Sequence, residues 1–509
     1  MEFLYLFLLL TFLLLVLLVL RRRGLGGGGG GSRKKAVVPP GPWELPVVGS
    51  LHHLAGKLPH HSLRDLSRRY GQLMLLRFGE VPTLVASSPE AAREIMKAHD
   101  VAFADRPVIL AVQIMSYGNK GIIFAPYGHY WRELRKLCIL ELLSAKRVLS
   151  FRSIREEEVH NLVRSINQVT DSVVNLSGKL FALMNDITIR TIVGDKCKQQ
   201  DVFLAALSKS VEAAGGFNMV DLFPSSTLAR LFCGIAAELK KTHRRFDDVL
   251  DDIIREHVEI MRRKERGSEE DLLDVLLRIR EEGFLQFPLP IESIKAIILD
   301  LFGAGSETSS TTVEWAMSEL VRNPSVMKKA QSEVREVFGA RAKVTEADLK
   351  ELSYLKLVVK EALRLHPPVP LLLPRECREP CRVLGYDIPE KTRVLVNVWA
   401  MGRDPQIWDD AEEFKPERFD ESAVDFKGTD FQYLPFGAGR RICPGMSYGL
   451  ANAEIALAGL LFYFDWEIPD GAQPSHRTEE IGSTFACHPA IPLSRRGQID
   501  DAFHLQVPT

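Results

Sequence analysis

The sequence predicts a mainly α-helical domain with a minor β part, carried behind an N-terminal transmembrane helix. Three observations support this. Helical, mixed-charge segments dominate residues 128–365 and are broken by Pro224, Pro288, Pro290 and Pro324. Period-two alternation of β-favouring residues is confined to about 72–86 and 382–398. An apolar run from Phe3 to Leu20, interrupted only by Tyr5 and Thr11, ends directly on Arg21-Arg22-Arg23.

That run reaches about 27 Å as a helix, close to the thickness of an endoplasmic reticulum bilayer core. A cleaved signal peptide would want a basic start, a shorter run and a small-residue cleavage site. Here Glu2 stands at the start and no such site precedes the arginines. Residues 1–20 therefore read as an uncleaved single-pass anchor, with the positive charges holding the rest of the chain on the cytosolic side. Residues 21–38 form a basic, glycine-rich linker that includes the run Gly26–Gly31. Pro39-Pro40-Gly41-Pro42 then stiffens the start of a domain expected to run from 39 to 509.

Residues 72–86 read as a hairpin, followed by a helix opened by Pro89 and running through Ala98. The stretch Phe217–Phe232 is unusually apolar for a connection, and core packing and membrane contact both fit it. Short strands return at about 382–398, and a final helix covers Met446–Tyr463. Asn175-Leu-Ser177 matches a glycosylation sequon, which should go unused in the cytosol.

Composition narrows the function classes. A hydrophobic content of 46% supports a large core, and a net charge of −1 gives no footing for nucleic-acid binding. Seven cysteines, scattered and odd in number, argue against a disulfide framework and for a reducing compartment. Cys377 and Cys381 have no second pair or nearby histidines and read as ordinary thiols. The glycine-rich stretch near residue 26 follows no strand and opens no helix, so it fails as a dinucleotide fingerprint.

The chemistry lies in four motifs. Phe436-Gly-Ala-Gly-Arg-Arg-Ile-Cys-Pro-Gly445 fits Phe-x-x-Gly-x-Arg-x-Cys-x-Gly, a loop that presents one cysteine sulfur to a haem iron. A thiolate there pushes electron density onto iron, which suits oxygen activation. Glycines permit tight turning and close approach, Arg441 suits a carboxylate, and Phe436 offers an apolar shield. Upstream stand Ala304-Gly305-Ser306-Glu307-Thr308-Ser309 in an apolar stretch, Glu361-Ala-Leu-Arg364, and Pro416-Glu-Arg-Phe419. With these motifs in this order, the chain resembles the cytochrome P-450 superfamily of haem-thiolate monooxygenases from about Pro39 onward.

The resemblance implies that fold, a haem b ligated by Cys443, O2 as co-substrate and NADPH electrons delivered by a membrane-bound flavoprotein reductase. Cytochrome b5 is implied as a second donor. The expected haem contacts are Trp131, Arg135, Ala304, Arg375, Phe436, Gly437, Arg441, Cys443 and Gly445. Glu307 and Thr308 resemble the family's proton-delivering acid–alcohol pair. Glu361, Arg364 and Arg418 resemble a buried ion network on the proximal side. Arg132, Lys136 and Arg440 are expected to form a basic docking face for the reductase. Retention of Thr308 and of the whole cysteine loop argues against a peroxide isomerase and against a non-catalytic haem protein.

Positions lining the pocket in relatives are almost all apolar here: Ile297, Leu301, Phe302, Val369, Leu371, Leu372 and Phe485, with Asp300 the charged exception. Pro40–His53, Ile123–Arg132 and Phe181–Thr188 resemble A-type plant enzymes of specialised metabolism, closest in look to grass terpenoid hydroxylases. An apolar substrate is implied, expected to be a sesquiterpenoid or diterpenoid, with an indole, coumarin or alkaloid as the alternative. After Gly482 this chain carries Ser483–Pro489 where relatives carry a basic cluster, beside the expected pocket.

Overall fold

The computed structural model describes residues 36–168, 173–195, 218–232, 234–263, 270–283, 288–339 and 343–467, plus strands at 479–481, 487–489 and 493–498. The expected anchor, the glycine run and Phe485 lie outside the described residues. Among the described residues no helix is long and apolar enough to cross a membrane. The chain forms two compact units, and each is woven from three separate stretches.

The first unit combines the N-terminal stretch to Pro107 with Phe217–Cys233 and Pro374–Asn397. The predicted hairpin is present as antiparallel strands Leu73–Phe78 and Val81–Ala86, closed at Gly79 with φ 61°. Val81–Ala86 pairs in parallel with Arg393–Val396, which in turn pairs antiparallel with Arg375–Glu376. The proline-rich segment is bound to this sheet: the Leu75 N–H donates to the Pro40 carbonyl at 3.0 Å. A side chain at Gly41 would meet the Leu75 carbonyl oxygen at 2.0 Å, so glycine is required there. The helix opened by Pro89 ends at Arg93 and continues as one π-helical turn to Ala98.

The apolar connection also packs in this unit. Asn218 caps the short helix Met219–Leu222, and the Glu80 N–H at the hairpin turn donates to the Leu222 carbonyl at 2.8 Å. Leu222 is buried, while Met219 and Leu228 remain exposed.

The second unit holds most of the helices. Its axis is the helix Ile291–Arg322, which begins at the predicted proline punctuation with Pro290 as N-cap. It packs against helices Leu176–Val193, Ser353–Leu365 and Met446–Tyr463. The last of these is apolar almost throughout and nearly fully buried, so it packs on all faces rather than along one stripe. Asn175, the first residue of the sequon pattern, caps helix Leu176–Val193 by accepting the Gly178 N–H at 2.9 Å.

Candidate active site

The cysteine loop of the second unit is held by its own backbone. The Cys443 N–H donates to the Phe436 carbonyl at 3.0 Å, and the Gly437 N–H donates to Leu434 at 3.0 Å. Gly437 and Gly439 have φ of 71° and 68°, a region that side chains with Cβ rarely adopt. One 3₁₀ turn, Gly439–Arg441, then aims the chain into helix Met446–Tyr463. Cys443 is half-buried. Burial pushes its thiol pKa up, opposed by the Gly445 N–H and the nearby Arg135 guanidinium.

One helix braces the rear of the loop. The Arg135 guanidinium, on helix His129–Leu137, donates to the carbonyl of Ile442, directly before the cysteine. Arg441 points the other way. Its Nη2 donates to the Ala125 carbonyl at 2.6 Å, and its guanidinium carbon lies 4.2 Å from the Trp131 ring centroid. The Trp131 Nε1–H donates to the Ile122 carbonyl at 2.9 Å. The segment Ile122–Ala125 is thus held through its carbonyls by Trp131 and Arg441.

The same segment is held from the other side by Asp300, on the long helix. The Asp300 carboxylate accepts the Ile123 N–H at 2.9 Å and a second bond from the Ile122 N–H. Burial raises its pKa to about 7 despite these bonds. A side chain at Gly121 would meet the Asp300 Oδ2 at 2.2 Å, so this approach also needs glycine.

Further along the long helix, Ala304 is exposed while Ser306 and Ser309 are closed into the core. The Thr308 hydroxyl donates to the Ala304 carbonyl one turn back, at 2.7 Å. Tyr448 and Gly449, just after the cysteine loop, pack at Gly305 and Ser309 of the long helix. The helix that follows the cysteine loop therefore meets the long helix at Gly305 and Ser309, on either side of Glu307-Thr308 in sequence. A methyl at Gly305 would be only in ordinary contact with Thr188 and Tyr448, so local packing does not demand glycine there.

Glu361, Arg364 and Arg418 come together in one ion network. Glu361 accepts from Arg364 Nε and Nη2, both at 2.8 Å, and from Arg418 Nε at 2.9 Å. Glu361 and Arg364 are almost wholly buried. Arg364 also donates to the Gly402, Ala411 and Glu413 carbonyls, and Arg418 to those of Asp409 and Asp410. The network thereby fixes the meander 402–418 to helix Ser353–Leu365.

The pocket residues divide. Leu301, Val369, Leu371 and Leu372 are half-open, whereas Ile297 and Phe302 are fully closed into the core beside Ile294 and Ile298. Those two belong to the packing of the helix and not to a cavity wall. Arg375 is part of the first unit, buried and paired with Asp100 at 3.3 Å. Sequence reasoning missed His366, which stacks on Trp315 with centroids 3.7 Å apart and bonds Glu319 at 2.8 Å. Its position just after Arg364, before Pro367-Pro368, was the only signal.

An exposed small residue on the long helix, half-open leucines and a half-open thiol fit a planar apolar group ligated through sulfur. The model of the family Cytochrome P450 matches residues 39–490. The chain belongs to the cytochrome P450 family. A desmethyl-deoxy-podophyllotoxin synthase from Sinopodophyllum hexandrum is 54% identical over 88% of this chain and 89% of its own length. A premnaspirodiene oxygenase from Hyoscyamus muticus is 51% identical over 88% and 90%. A 5-epiaristolochene 1,3-dihydroxylase from Nicotiana tabacum is 49% identical over 88% and 90%. Among solved structures, a zebrafish cytochrome P450 with abiraterone superposes with a TM-score of 0.73 at 25% identity, covering 86% of this chain and 98% of that one.

This cytochrome P450 is accordingly a monooxygenase that uses haem, O2 and NADPH electrons passed through a reductase, and it acts on an apolar substrate. Haem supplies the oxygen activation, and the chain supplies the sulfur ligand, positioning and protons.

Proposed function

We propose that this cytochrome P450 hydroxylates a sesquiterpenoid or diterpenoid. The observation that carries the reading is the half-open set Leu301, Val369, Leu371 and Leu372, with no charged side chain among them. Such a wall binds by burial of hydrocarbon and turns away charged molecules. Two relatives take their names from olefins, premnaspirodiene and 5-epiaristolochene, which supports a terpenoid skeleton. The podophyllotoxin-type relative favours a second reading, an aromatic substrate on the same wall.

In this reading Cys443 is the haem ligand, with Phe436, Gly437 and Gly445 shaping its loop and Ala304 leaving room on the opposite side. Arg441, Trp131 and Arg135 as propionate partners rest on the motif resemblance; each donates to a backbone carbonyl about the loop, and Trp131 has to release Ile122 to reach a propionate. Arg375 as a further propionate partner rests on the motif resemblance. The Thr308 hydroxyl donates into its own helix, which leaves its lone pairs to accept a proton-bearing group, and Glu307 beside it is the proton source. Glu361, Arg364 and Arg418 act on structure alone.

Arg132, Lys136 and Arg440 are exposed, and Arg132 and Arg440 both lie 5.9 Å from the Tyr127 ring centroid. That shared site supports a basic docking face for the reductase, with cytochrome b5 as an alternative visitor. The apolar run 3–20 and the exposed Met219 and Leu228 support attachment to the endoplasmic reticulum with the catalytic domain in the cytosol.

The test is an NADPH-dependent assay of microsomes carrying this chain and a plant reductase. Sesquiterpene and diterpene olefins, indole, coumarins and phenolics would be offered. Hydroxylated terpene alone bears the reading out, and an oxidised aromatic with no terpene product replaces it.

A further inference from the structure

Cys377 and Cys381 lie four residues apart in the first unit, on either side of the turn Arg378-Glu379-Pro380, with sulfurs 3.9 Å apart. Both are free thiols, Cys377 fully buried and Cys381 half-exposed at the start of strand Cys381–Val383. The turn is firmly set. The Cys377 N–H donates to the Thr392 carbonyl at 2.9 Å, and its own carbonyl accepts from the Lys391 N–H at 2.8 Å. Arg378 donates through its backbone to the Ala102 carbonyl at 2.8 Å and through Nε to Asp105 at 3.0 Å. The Cys377 thiol donates to the Glu379 carbonyl at 3.0 Å, within the turn it would close.

We propose that Cys377 and Cys381 are a reversible redox pair, in which Cys381 is the attacking and Cys377 the resolving thiol. A disulfide needs sulfurs about 2.05 Å apart, so side-chain rotation must bring them roughly 2 Å closer. The backbone anchors lie outside that movement. The asymmetry of the pair sets the roles: the accessible sulfur meets an external oxidant, and the buried one is reachable only from its neighbour. Electrostatics agree, since the hydrogen bond between them lowers the Cys381 pKa and raises that of Cys377.

With glutathione disulfide as oxidant, the Cys381 thiolate attacks one sulfur and expels one glutathione thiolate. Cys377 gives up its proton, attacks the Cys381 sulfur of the mixed disulfide and expels the second. Two protein thiols are oxidised and one glutathione disulfide is reduced to two glutathiones. In a reducing compartment such a pair is a sensor and not a structural staple.

The test uses the haem-loaded enzyme in glutathione buffers of graded oxidation, followed by acid quench, alkylation and trypsin. Arg375, Arg378 and Arg382 flank the cysteines, so Cys377 and Cys381 leave on different tryptic peptides. Expected is a linked pair of these peptides, joint loss of two alkylatable thiols, and recovery of both with dithiothreitol. Cys377→Ser should stop at a stable glutathione adduct on Cys381, and Cys381→Ser should leave Cys377 unreacted. Haem content of each variant reports folding. A wild-type Cys381 adduct with no linked peptide, or two reduced thiols in glutathione disulfide alone, overturns the proposal. If a serine variant fails to fold, the wild-type linked peptide still decides it.

Discussion

Arg441 lies over Trp131, its guanidinium carbon 4.2 Å from the ring centroid, while the Trp131 Nε1–H and the Arg441 Nη2 hold carbonyls three residues apart, Ile122 and Ala125. A cation over an indole face is attractive, more so when little water reaches it. Arg441, two residues before Cys443, thus depends on a helix some 300 positions earlier in the chain.

This pair can be graded by substitution. Trp131→Phe keeps an aromatic face but loses the donor to Ile122, costing about 1 kcal/mol. Trp131→Ala also loses the packing and should cost about 3–5 kcal/mol. Denaturant unfolding should rank wild type above Phe above Ala, with haem retention falling in the same order.

Asp300 sets a pH dependence. Its folded pKa of about 7 lies above the unfolded value near 3.9, so folding favours the protonated form. Its contribution is full below about pH 4 and is lost as pH rises towards 7. Asp300→Asn should retain acceptance from the Ile122 and Ile123 N–H groups and remove that decline. The readout is the difference in melting temperature between variant and wild type across pH 4–8. Glu454, also raised to about 7, is common to both proteins and cancels in the difference. A difference that stays flat with pH would mean Asp300 is ionised throughout.

Glu361→Gln removes the carboxylate between the buried Arg364 guanidinium and the half-buried Arg418 guanidinium. Breaking a buried pair from one side costs about 3–5 kcal/mol. The expected outcome is a sharp loss of haem-loaded protein at 37 °C, recovered in part by growth at low temperature. Unchanged melting would remove the network from the account.

Thr308→Ala removes the hydroxyl and its bond to the Ala304 carbonyl. The helix should lose little stability, because the carbonyl keeps its helical partner. Product formed per NADPH consumed should fall severalfold while peroxide release rises. Unchanged coupling would place proton delivery elsewhere.

Local patterns were the most legible. The hairpin, the helix Met446–Tyr463 and the proline that opens the long helix were readable because each depends on neighbours in sequence. In the cysteine loop Gly439 was readable as a turn residue, its φ being 68°, whereas Gly445, with φ −93° and open space at its Cβ, is required by no turn. What escaped was set by distant partners. Ile297 and Phe302 are apolar whether they face a cavity or the core, and only packing separates the two. Asn175 fits a sequon and a helix cap equally well. The approach of Cys377 to Cys381 depends on a turn anchored at Ala102, Asp105 and Thr392.

The central claim is that Cys443 is the sulfur ligand of a haem. The most direct measurement is the reduced carbon monoxide difference spectrum of wild type beside Cys443→Ala, at matched protein concentration with total haem assayed separately. The account predicts a thiolate-type band in wild type and none in the variant. The same band persisting in Cys443→Ala would contradict the assignment.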